Sequence, residues 1–447
     1  MPCRCRRSAR SLRPNCARTS SAAWPTRSPP DARTLSQPPR RLTMKTPNAA
    51  RRHSLWKAAA VAALVAGAAL SAALAQAQQA KAPIVIGMLE DTSGGASFYS
   101  QLTANAVRVA VEEVNAKGGV LGRPIKLLEE SDGNNPSQAP ALVSRMIQNG
   151  AKVILLNSGS ASAVASKKTL LDQKVPGIAS TNIDTRIGSP PDNDYAFMLP
   201  NPITDIGTIY AAAFQKMGVK TLAVISDDSP TIAGINGLLL PKIQAAGVTL
   251  VAQEKAPLDA NDVTAQVLRL KEKNPDVVLV SSLGGQLEVL FENTLYQQMR
   301  KTPRFSLASI GNQPATWALA QANALDGLVY VASVATNNPR SATLTKLLAA
   351  KLGSKFKALT AYEAQGYDAV QIVKLAIEKA GVDDPILIKT AIEHISGFKP
   401  SFGSANFTIS FSPTKHIGTD GLCGLVLMQF KGNKPEAPWK TYQAKCD

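Results

Sequence analysis

From residue 83 onward, short runs of β-branched and other apolar residues alternate with longer stretches in which apolar residues recur at helical spacing. The stretch 102–117, for example, carries Val109, Ala110 and Val114 on one helical face. Strands and helices that alternate along a chain pack as a parallel sheet covered by helices on both faces. The sequence therefore predicts an α/β fold of doubly wound parallel sheets. Its strands are expected at 84–89, 124–130, 152–156, 221–226, 249–253, 276–280 and 328–332.

The alternation begins afresh at Thr221, after a proline-containing loop at 200–202. About 370 residues after the leader exceed what one hydrophobic core ordinarily holds, so two similar lobes are expected. A long helix pair at 360–394 and a β-rich tail, with strands at 406–411 and 422–430, complete the pattern. No segment after the leader is apolar over the length that a membrane span requires.

Residues 44–77 have the three parts of a secretory signal peptide. A basic start is followed by an alanine-rich apolar run at 58–75 and by small residues that would be cleaved near Ala77. An uncleaved membrane anchor is the competing interpretation, because the run is nearly long enough to span a bilayer. The alanine content and the cleavage site favour removal, so the mature protein is predicted to reside in the periplasm.

Residues 1–43 hold ten arginines, no lysine and no hydrophobic periodicity, so they lack the means to form a core. We interpret them as disordered, or as an extension upstream of a true start at Met44. A nucleic-acid-binding arm is the alternative for such a run, but the run is not interleaved with aromatic residues and precedes an export signal. Beyond residue 77 the formal net charge falls to about +4, so no nucleic-acid partner is expected.

Few residues suited to catalysis follow the leader. Cys423 and Cys446 would be able to pair in an oxidising compartment, although the sequence does not decide whether they do. Because His394 and His416 are the only histidines there, a catalytic thiol and a metal site both lack partners. The glycines at 118–122 follow a predicted helix and so do not form a dinucleotide fingerprint, and neither a phosphate-binding loop nor a G-x-S-x-G elbow occurs. No catalytic residue, metal or cofactor is predicted.

Five loops that directly follow predicted strands are rich in small hydroxyl residues and glycine. The carboxyl ends of parallel strands meet at one edge of a sheet, where open α/β sheets bind ligands. Hydroxyls and free N–H groups at helix starts hold a carboxylate without any positive side chain. Helix caps and turns are the simpler explanation for any single loop, but the recurrence favours a binding cleft. The loops are 91–95, 157–162, 180–182, 226–229 and 281–285.

A more specific motif ends the first predicted helix, where residues 115–124 read Asn-Ala-Lys-Gly-Gly-Val-Leu-Gly-Arg-Pro. Its glycines suit the left-handed turn that leads from a helix into the next strand. Together with Pro-Asp-Val-Val at 275–278 and Gly-Tyr-Asp-Ala-Val at 366–370, the motif makes the chain from 82 to 447 resemble the type I periplasmic binding proteins. The resemblance is to their leucine/isoleucine/valine-binding branch.

This resemblance implies a clam-shell of two lobes joined by three hinge strands. The first lobe would comprise 82–201 and 334–400, and the second would comprise 202–333 and 401–447. Proteins of this kind close on a small solute and deliver it, unaltered, to the permease subunits of an ABC transporter in the inner membrane. The chain is accordingly expected to be a monomer that moves by hinge closure and has no catalytic activity.

Residue by residue, the resemblance also implies a binding site. The family's carboxylate-holding loop corresponds to 158–160, and its second loop corresponds to 180–181. An aromatic residue at 98–99 would lie over the ligand as a lid. The expected ligand-binding residues are Phe98, Tyr99, Ser158, Gly159, Ser160, Ser180, Thr181, Thr231 and Gln286.

The second lobe departs from the family at two places. The aromatic wall falls near Thr231 and Gln286, where this chain has no aromatic residue, and the acid that clamps an amino group falls within 308–313, which contains no carboxylate. An α-ammonium group in a desolvated cleft needs a negative partner. We therefore expect a small carboxylate, amide or amino-acid-like ligand with an aromatic or aliphatic body, and these departures weigh against a branched-chain amino acid. The acids that could replace the missing one are Asp227, Asp228 and Glu288.

Two other functions are compatible with this architecture. A ligand-sensing domain that feeds a membrane receptor would share the fold and the cleft. A hydrolytic α/β enzyme is the less favoured alternative, because solute binding needs no catalytic motif and accounts for the loops. Neighbouring genes for a permease and an ATPase would favour uptake, whereas a membrane kinase would favour sensing.

Overall fold

A computed structural model of the protein describes residues 82–307, 310–335 and 337–444. The predicted extension at 1–43, the signal peptide at 44–77 with its cleavage site near Ala77, and Cys446 lie outside the described residues. The chain from Gln79 to Asp447 forms one compact unit. Two sheets, each covered by helices, lie within it.

The first sheet is formed by β1 (Ile84–Glu90), β2 (Ile125–Ser131), β3 (Ile154–Leu156), β4 (Gly177–Ala179) and β5 (Ala196–Met198). These strands pair in parallel in the order β2-β1-β3-β4-β5. Strand β1 is a nearly continuous apolar run and is almost entirely buried, as expected of a parallel strand that is covered on both faces. This sheet and the helices that pack on it are called lobe 1.

The second sheet is formed by β6 (Thr221–Asp227), β7 (Thr249–Ala256), β8 (Val277–Ser281), β9 (Arg304–Ser306), β10 (Val329–Ala332), β11 (Val426–Lys431) and β12 (Lys434–Pro438). Its order is β12-β11-β10-β9-β8-β6-β7. Strands β6 to β10 are parallel, and β11 and β12 form an antiparallel edge. This sheet and its helices are called lobe 2. The strands predicted before residue 335 are all confirmed, with boundaries that differ by a few residues.

Helices separate most of the strands. They are α1 (Ser97–Ala116), α2 (Ala139–Gln148), α3 (Ser160–Gln173), α4 (Ile203–Met217), α5 (Pro230–Ala245), α6 (Thr264–Glu272), α7 (Gly285–Gln298), α8 (Pro339–Leu352), α9 (Ala361–Ala380) and α10 (Pro385–Glu393). Short 3₁₀ helices occur at Ile310–Asn312, Pro314–Leu319, Gly353–Lys355 and Leu422–Gly424. The predicted helix pair at 360–394 is α9 followed by α10.

Helices α1 and α9 pack closely in the core of lobe 1. Gly366 makes this possible, because a Cβ atom at that position would lie 2.6 Å from the backbone oxygen of Thr103. Around the contact, Val107 and Ala110 of α1 and Val370 of α9 are fully or almost fully buried. The close helix pair therefore follows from small and apolar residues on facing sides.

The segment from Phe402 to Gly418 lies in lobe 1, which differs from the predicted boundary at residue 401. Phe402 and Phe411 belong to the buried core of lobe 1, and the Phe411 ring meets Phe197 edge-on at 5.5 Å. The backbone of Gly418 donates to the oxygen of Met198 at 2.8 Å, which adds this segment beside β5. The chain thus reaches lobe 2 only after this segment, where β11 begins.

The predicted strand at 406–411 is not formed as a continuous strand. Ile409 makes only isolated bridges, to Phe398 on one side and to Thr419 on the other. Within the same segment His416 is buried, stacks on Phe197 at 4.3 Å and contacts the oxygen of Asn193 at 2.7 Å. It therefore has a structural role in lobe 1.

Candidate functional site

A cavity of about 50 Å³ lies where the carboxyl ends of the strands of both sheets meet. This is the place at which open α/β sheets bind ligands. Several of the predicted loops supply its walls. The lining residues are Tyr99, Ser160, Thr181, Ile183, Thr231, Ile232, Ile235, Ser282, Leu283, Leu307 and Tyr362.

Lobe 1 contributes the polar wall of the cavity. Ser160 is the first residue of α3, so it lies at the positive end of that helix. Its hydroxyl accepts a hydrogen bond from the Ile183 backbone at 3.2 Å, which joins the loops after β3 and β4. Thr181 is only 6% exposed, and its hydroxyl has no hydrogen-bond partner among the described residues. A ligand in the cavity would be able to satisfy this hydroxyl.

A buried polar layer supports this wall from behind. The Ser158 hydroxyl donates to the Asp132 carboxylate at 2.5 Å, and the side-chain amide of Asn182 donates to the backbone oxygen of Ser158 at 2.5 Å. Ser180 donates to Asn157. The side chains of Ser158 and Ser180 are therefore held within lobe 1 and do not line the cavity. Burial raises the pKa of Asp132, and the hydrogen bond from Ser158 opposes this shift.

Two stacked tyrosines form one end of the cavity. The rings of Tyr99 and Tyr362 are 5.2 Å apart and inclined by 29°. Burial raises the pKa of Tyr99 well above its ordinary value, so its phenol stays neutral. Tyr362 is fixed at the start of α9 by a capping box between Thr360 and Glu363. The aromatic surface suits the flat or branched apolar part of a ligand.

Phe98 lies outside the cavity, although it precedes Tyr99 directly. Its side chain is 42% exposed, and its ring contacts lobe 2 at Gly285, where a Cβ atom would lie 2.7 Å from Phe98 Cε2. The loop before it is held by Asp91, which accepts from the backbone of Gly94 at 2.6 Å and of Ala96 at 2.8 Å. Tyr99 thus faces the cavity, and Phe98 bridges the two lobes at its edge.

Lobe 2 contributes a mainly apolar wall. Ile232 and Ile235 lie on the first turns of α5, which is capped by Ser229 through a 3.2 Å hydrogen bond from the Ile232 backbone. Leu283 follows β8, and its backbone donates to Asp227 at 2.8 Å. Gln286 is exposed and does not line the cavity.

No acidic or basic side chain lines the cavity in the part of the chain that the structure describes. Asp227 accepts from the backbones of Ser229 and Leu283, so both of its oxygens are occupied. Asp228 is exposed. Glu288 is fully buried and accepts from Ser306. None of these three acids therefore faces the cavity as a partner for the amino group of a ligand.

Several lining residues were not expected from the sequence. Tyr362 is supplied by a helix more than 250 residues after Tyr99, and no local pattern marks it. Ile183, Ile232, Ile235 and Leu307 appear as ordinary core residues in the sequence, because apolar side chains that line a cleft have the same composition as those that fill a core. Ser282 and Leu283 lie in a loop that the sequence did indicate.

The described residues contain no group of three His, Cys, Asp or Glu side chains that could hold a metal ion. Cys423 is disulfide-bonded. Within the described ranges, no helix combines the length and the apolar content that crossing a bilayer requires.

A family model described as "Periplasmic binding protein" matches residues 83–432. The chain belongs to the periplasmic binding protein family. The resemblance inferred from the sequence is thereby confirmed, and so is the absence of an enzymatic role, since this is a family of binding proteins.

Individual relatives of this periplasmic binding protein agree with the assignment. The Leu/Ile/Val-binding protein BraC3 of Rhizobium johnstonii is 24% identical over 354 residues, which cover 76% of this chain and 91% of the relative. The branched-chain amino acid transporter substrate-binding protein LivJ of Streptococcus pneumoniae, solved with isoleucine, has a TM-score of 0.67 at 19% identity and covers 79% of this chain and 98% of its own. A solute-binding protein of an ABC transporter from R. palustris, solved with benzoate, has a TM-score of 0.68 at 18% identity, with coverages of 79% and 95%. These structures share the two-lobed α/β fold that was predicted.

Proposed function

We propose that this protein is the periplasmic solute-binding component of an ABC importer. It captures a small carboxylate or amide in the cavity between lobes 1 and 2 and closes around it by hinge motion. Permease subunits in the inner membrane then receive the solute unaltered. The family assignment and the cavity at the strand ends both support this proposal.

The observation that carries the proposal is the unpaired hydroxyl of Thr181. A buried hydroxyl without a partner costs about 1 to 3 kcal/mol, and this one lies in the wall of the cavity, 6% exposed. Ser160 and the positive end of α3 are part of the same wall. Together they form an uncharged receptor for a carboxylate group.

The rest of the cavity defines the remainder of the ligand. Tyr99 and Tyr362 offer aromatic surface, and Ile232, Ile235 and Leu283 offer aliphatic surface. An α-ammonium group would lose its hydration without gaining a carboxylate partner. The ligand class that fits is therefore a carboxylate with an apolar body and no amino group, with the corresponding primary amide as the weaker alternative.

Thermal-shift measurements on protein purified from the periplasm test this function. A ligand that binds only the folded state raises the melting temperature through a stabilisation of RT ln(1 + [L]/Kd). The panel contains matched pairs that differ only in the α-amino group, namely leucine with 4-methylpentanoate and phenylalanine with 3-phenylpropanoate. Benzoate is included as a compact aromatic carboxylate.

The deaminated member of each pair is expected to stabilise the protein more than the amino acid does. Stabilisation by no carboxylate or amide in the panel would contradict the ligand class. Hydrolysis or any other turnover of a stabilising compound, followed by chromatography, would contradict the assignment as a binding component.

A further inference from the structure

The first turn of α3 is capped from the opposite lobe. The first N–H groups of any helix lack partners within the helix, and an N-cap side chain normally satisfies one of them. The N-cap of α3 is Gly159, which has no side chain and makes no capping bond. Instead the Ala161 N–H donates to the Thr231 hydroxyl of lobe 2 at 3.4 Å.

The Thr231 hydroxyl has a second neighbour in lobe 1. It lies 3.5 Å from the side-chain oxygen of Asn134, in the loop after β2, to which it donates. Thr231 is 2% exposed and lies between these two groups. One hydroxyl of lobe 2 is thus placed to accept a hydrogen bond from lobe 1 and to donate another to it.

Glycine at position 159 is required for this contact. A Cβ atom there would lie 2.0 Å from the Asn134 side-chain oxygen and 2.6 Å from the Thr231 hydroxyl. The contact with Asn134 lies within lobe 1, whereas the contact with Thr231 crosses the cleft, so a larger residue would push Thr231 of lobe 2 away. Gly159 has no side chain with which to cap α3, and the same lack of a side chain leaves room for Thr231 of lobe 2 to cap it.

We infer that Thr231 is a positioning residue for closure: its hydroxyl caps α3 across the cleft only when the lobes meet. The capping bond is 3.4 Å long, against the usual 2.7–3.2 Å, so a small separation of the lobes would break it. Ligand-driven closure is part of the proposed function, and in that respect the inference rests on it. Because the bond joins the two lobes of the closed molecule, its loss would act on the release of an enclosed solute more than on its entry.

Two variants of the full protein separate the effect of the Thr231 hydroxyl from the effect of the shape of its side chain. Thr231→Val keeps the volume and removes the hydroxyl, whereas Thr231→Ser keeps the hydroxyl. Hydrogen exchange of the Ala161 amide is measured in both variants without ligand. We expect exchange about tenfold faster in Thr231→Val than in the wild type, and unchanged exchange in Thr231→Ser. If the valine variant does not fold, Thr231→Ala is compared with Thr231→Ser.

Dissociation of a carboxylate that the screen has identified is measured by stopped flow in the same proteins. Thr231→Val should release it about tenfold faster with little change in the association rate, and Thr231→Ser should behave as the wild type. Equal Ala161 exchange and equal dissociation in all three proteins would overturn the inference. Failure of the proposed function has a different signature: no solute would bind any of the proteins, while the Ala161 exchange would still differ.

Discussion

The two walls of the cleft differ in their chemistry. The lobe 1 wall presents hydroxyls and a helix start, supported by a buried polar layer that includes Asp132 and Ser158. The lobe 2 wall presents Ile232, Ile235 and Leu283, and the carboxylate of Asp227 behind it is occupied by the backbones of Ser229 and Leu283. The difference indicates that lobe 1 selects the polar head of a ligand, whereas lobe 2 supplies the aliphatic surface for the apolar body and completes closure.

The largest effect is expected when the polar layer of lobe 1 is broken. Asp132→Ala leaves the Ser158 hydroxyl and the Asn134 N–H without their acceptor, which should lower the free energy of unfolding by about 3 kcal/mol. Urea denaturation measures this change. The matched control is Asp228→Ala in lobe 2, an exposed aspartate whose removal should cost less than about 0.5 kcal/mol. Equal losses of unfolding free energy in Asp132→Ala and Asp228→Ala would contradict the stabilising role of the polar layer in lobe 1.

The next effect concerns the ligand head. Thr181→Val should weaken carboxylate binding by about 2 kcal/mol, because it removes the unpaired hydroxyl that the ligand would satisfy. The ligand-free protein should be no less stable, since valine replaces a buried group without a partner. Calorimetric titration and thermal melts measure the two quantities, and Thr208→Val, an exposed threonine on α4, is the control. Unchanged affinity would exclude Thr181 from the site.

A pH dependence is expected in the stability of the protein rather than in ligand binding, and Asp368 of lobe 1 contributes to it. Burial raises the pKa of Asp368 to about 7, even though the Ser401 backbone donates to it at 2.6 Å. The folded state therefore keeps a proton that the unfolded state loses near pH 4, so stability is highest at low pH and declines as the pH rises toward 7. We expect a decline of about 2 kcal/mol between pH 5 and pH 7. Urea titrations should show a flatter profile for Asp368→Asn, and an identical profile would contradict the assignment.

The smallest effect concerns the apolar wall of lobe 2. Ile235→Val removes one methylene group from the cavity and should weaken binding by about 1 kcal/mol. The loss should be the same for a carboxylate and for its primary amide, because this wall does not contact the head. Thr181→Val should instead change the ratio of the two affinities. The same titrations measure the ratio of carboxylate to amide affinity in Ile235→Val. A change in this ratio would show that the lobe 2 wall also acts on the polar head of the ligand.

The sequence predicted the fold well because hydrophobic periodicity and the alternation of strands with helices are local. Strand β1 and the turn after α1 were visible in single stretches of chain, and so was the hydroxyl-rich composition of the loops. The segment 402–418 was expected in lobe 2 but lies in lobe 1, because Phe402 and Phe411 would suit either core and nothing local decides between them.

The site was predictable only in part, for a related reason. Ser160, Thr181 and Thr231 line the cavity as expected, whereas Ser158 and Ser180 turn toward Asp132 and Asn157. Which hydroxyls face a ligand depends on partners that are brought together by folding, and sequence spacing does not reveal them.

The most direct measurement compares leucine with 4-methylpentanoate by isothermal titration calorimetry on the purified protein. The two compounds differ only in the α-ammonium group, for which the described cavity provides no acid. We predict that 4-methylpentanoate binds at least about tenfold more tightly than leucine, since burying an unpaired charge costs more than 1.4 kcal/mol. Tighter binding of leucine would contradict it, because the cleft would then have to supply a negative partner.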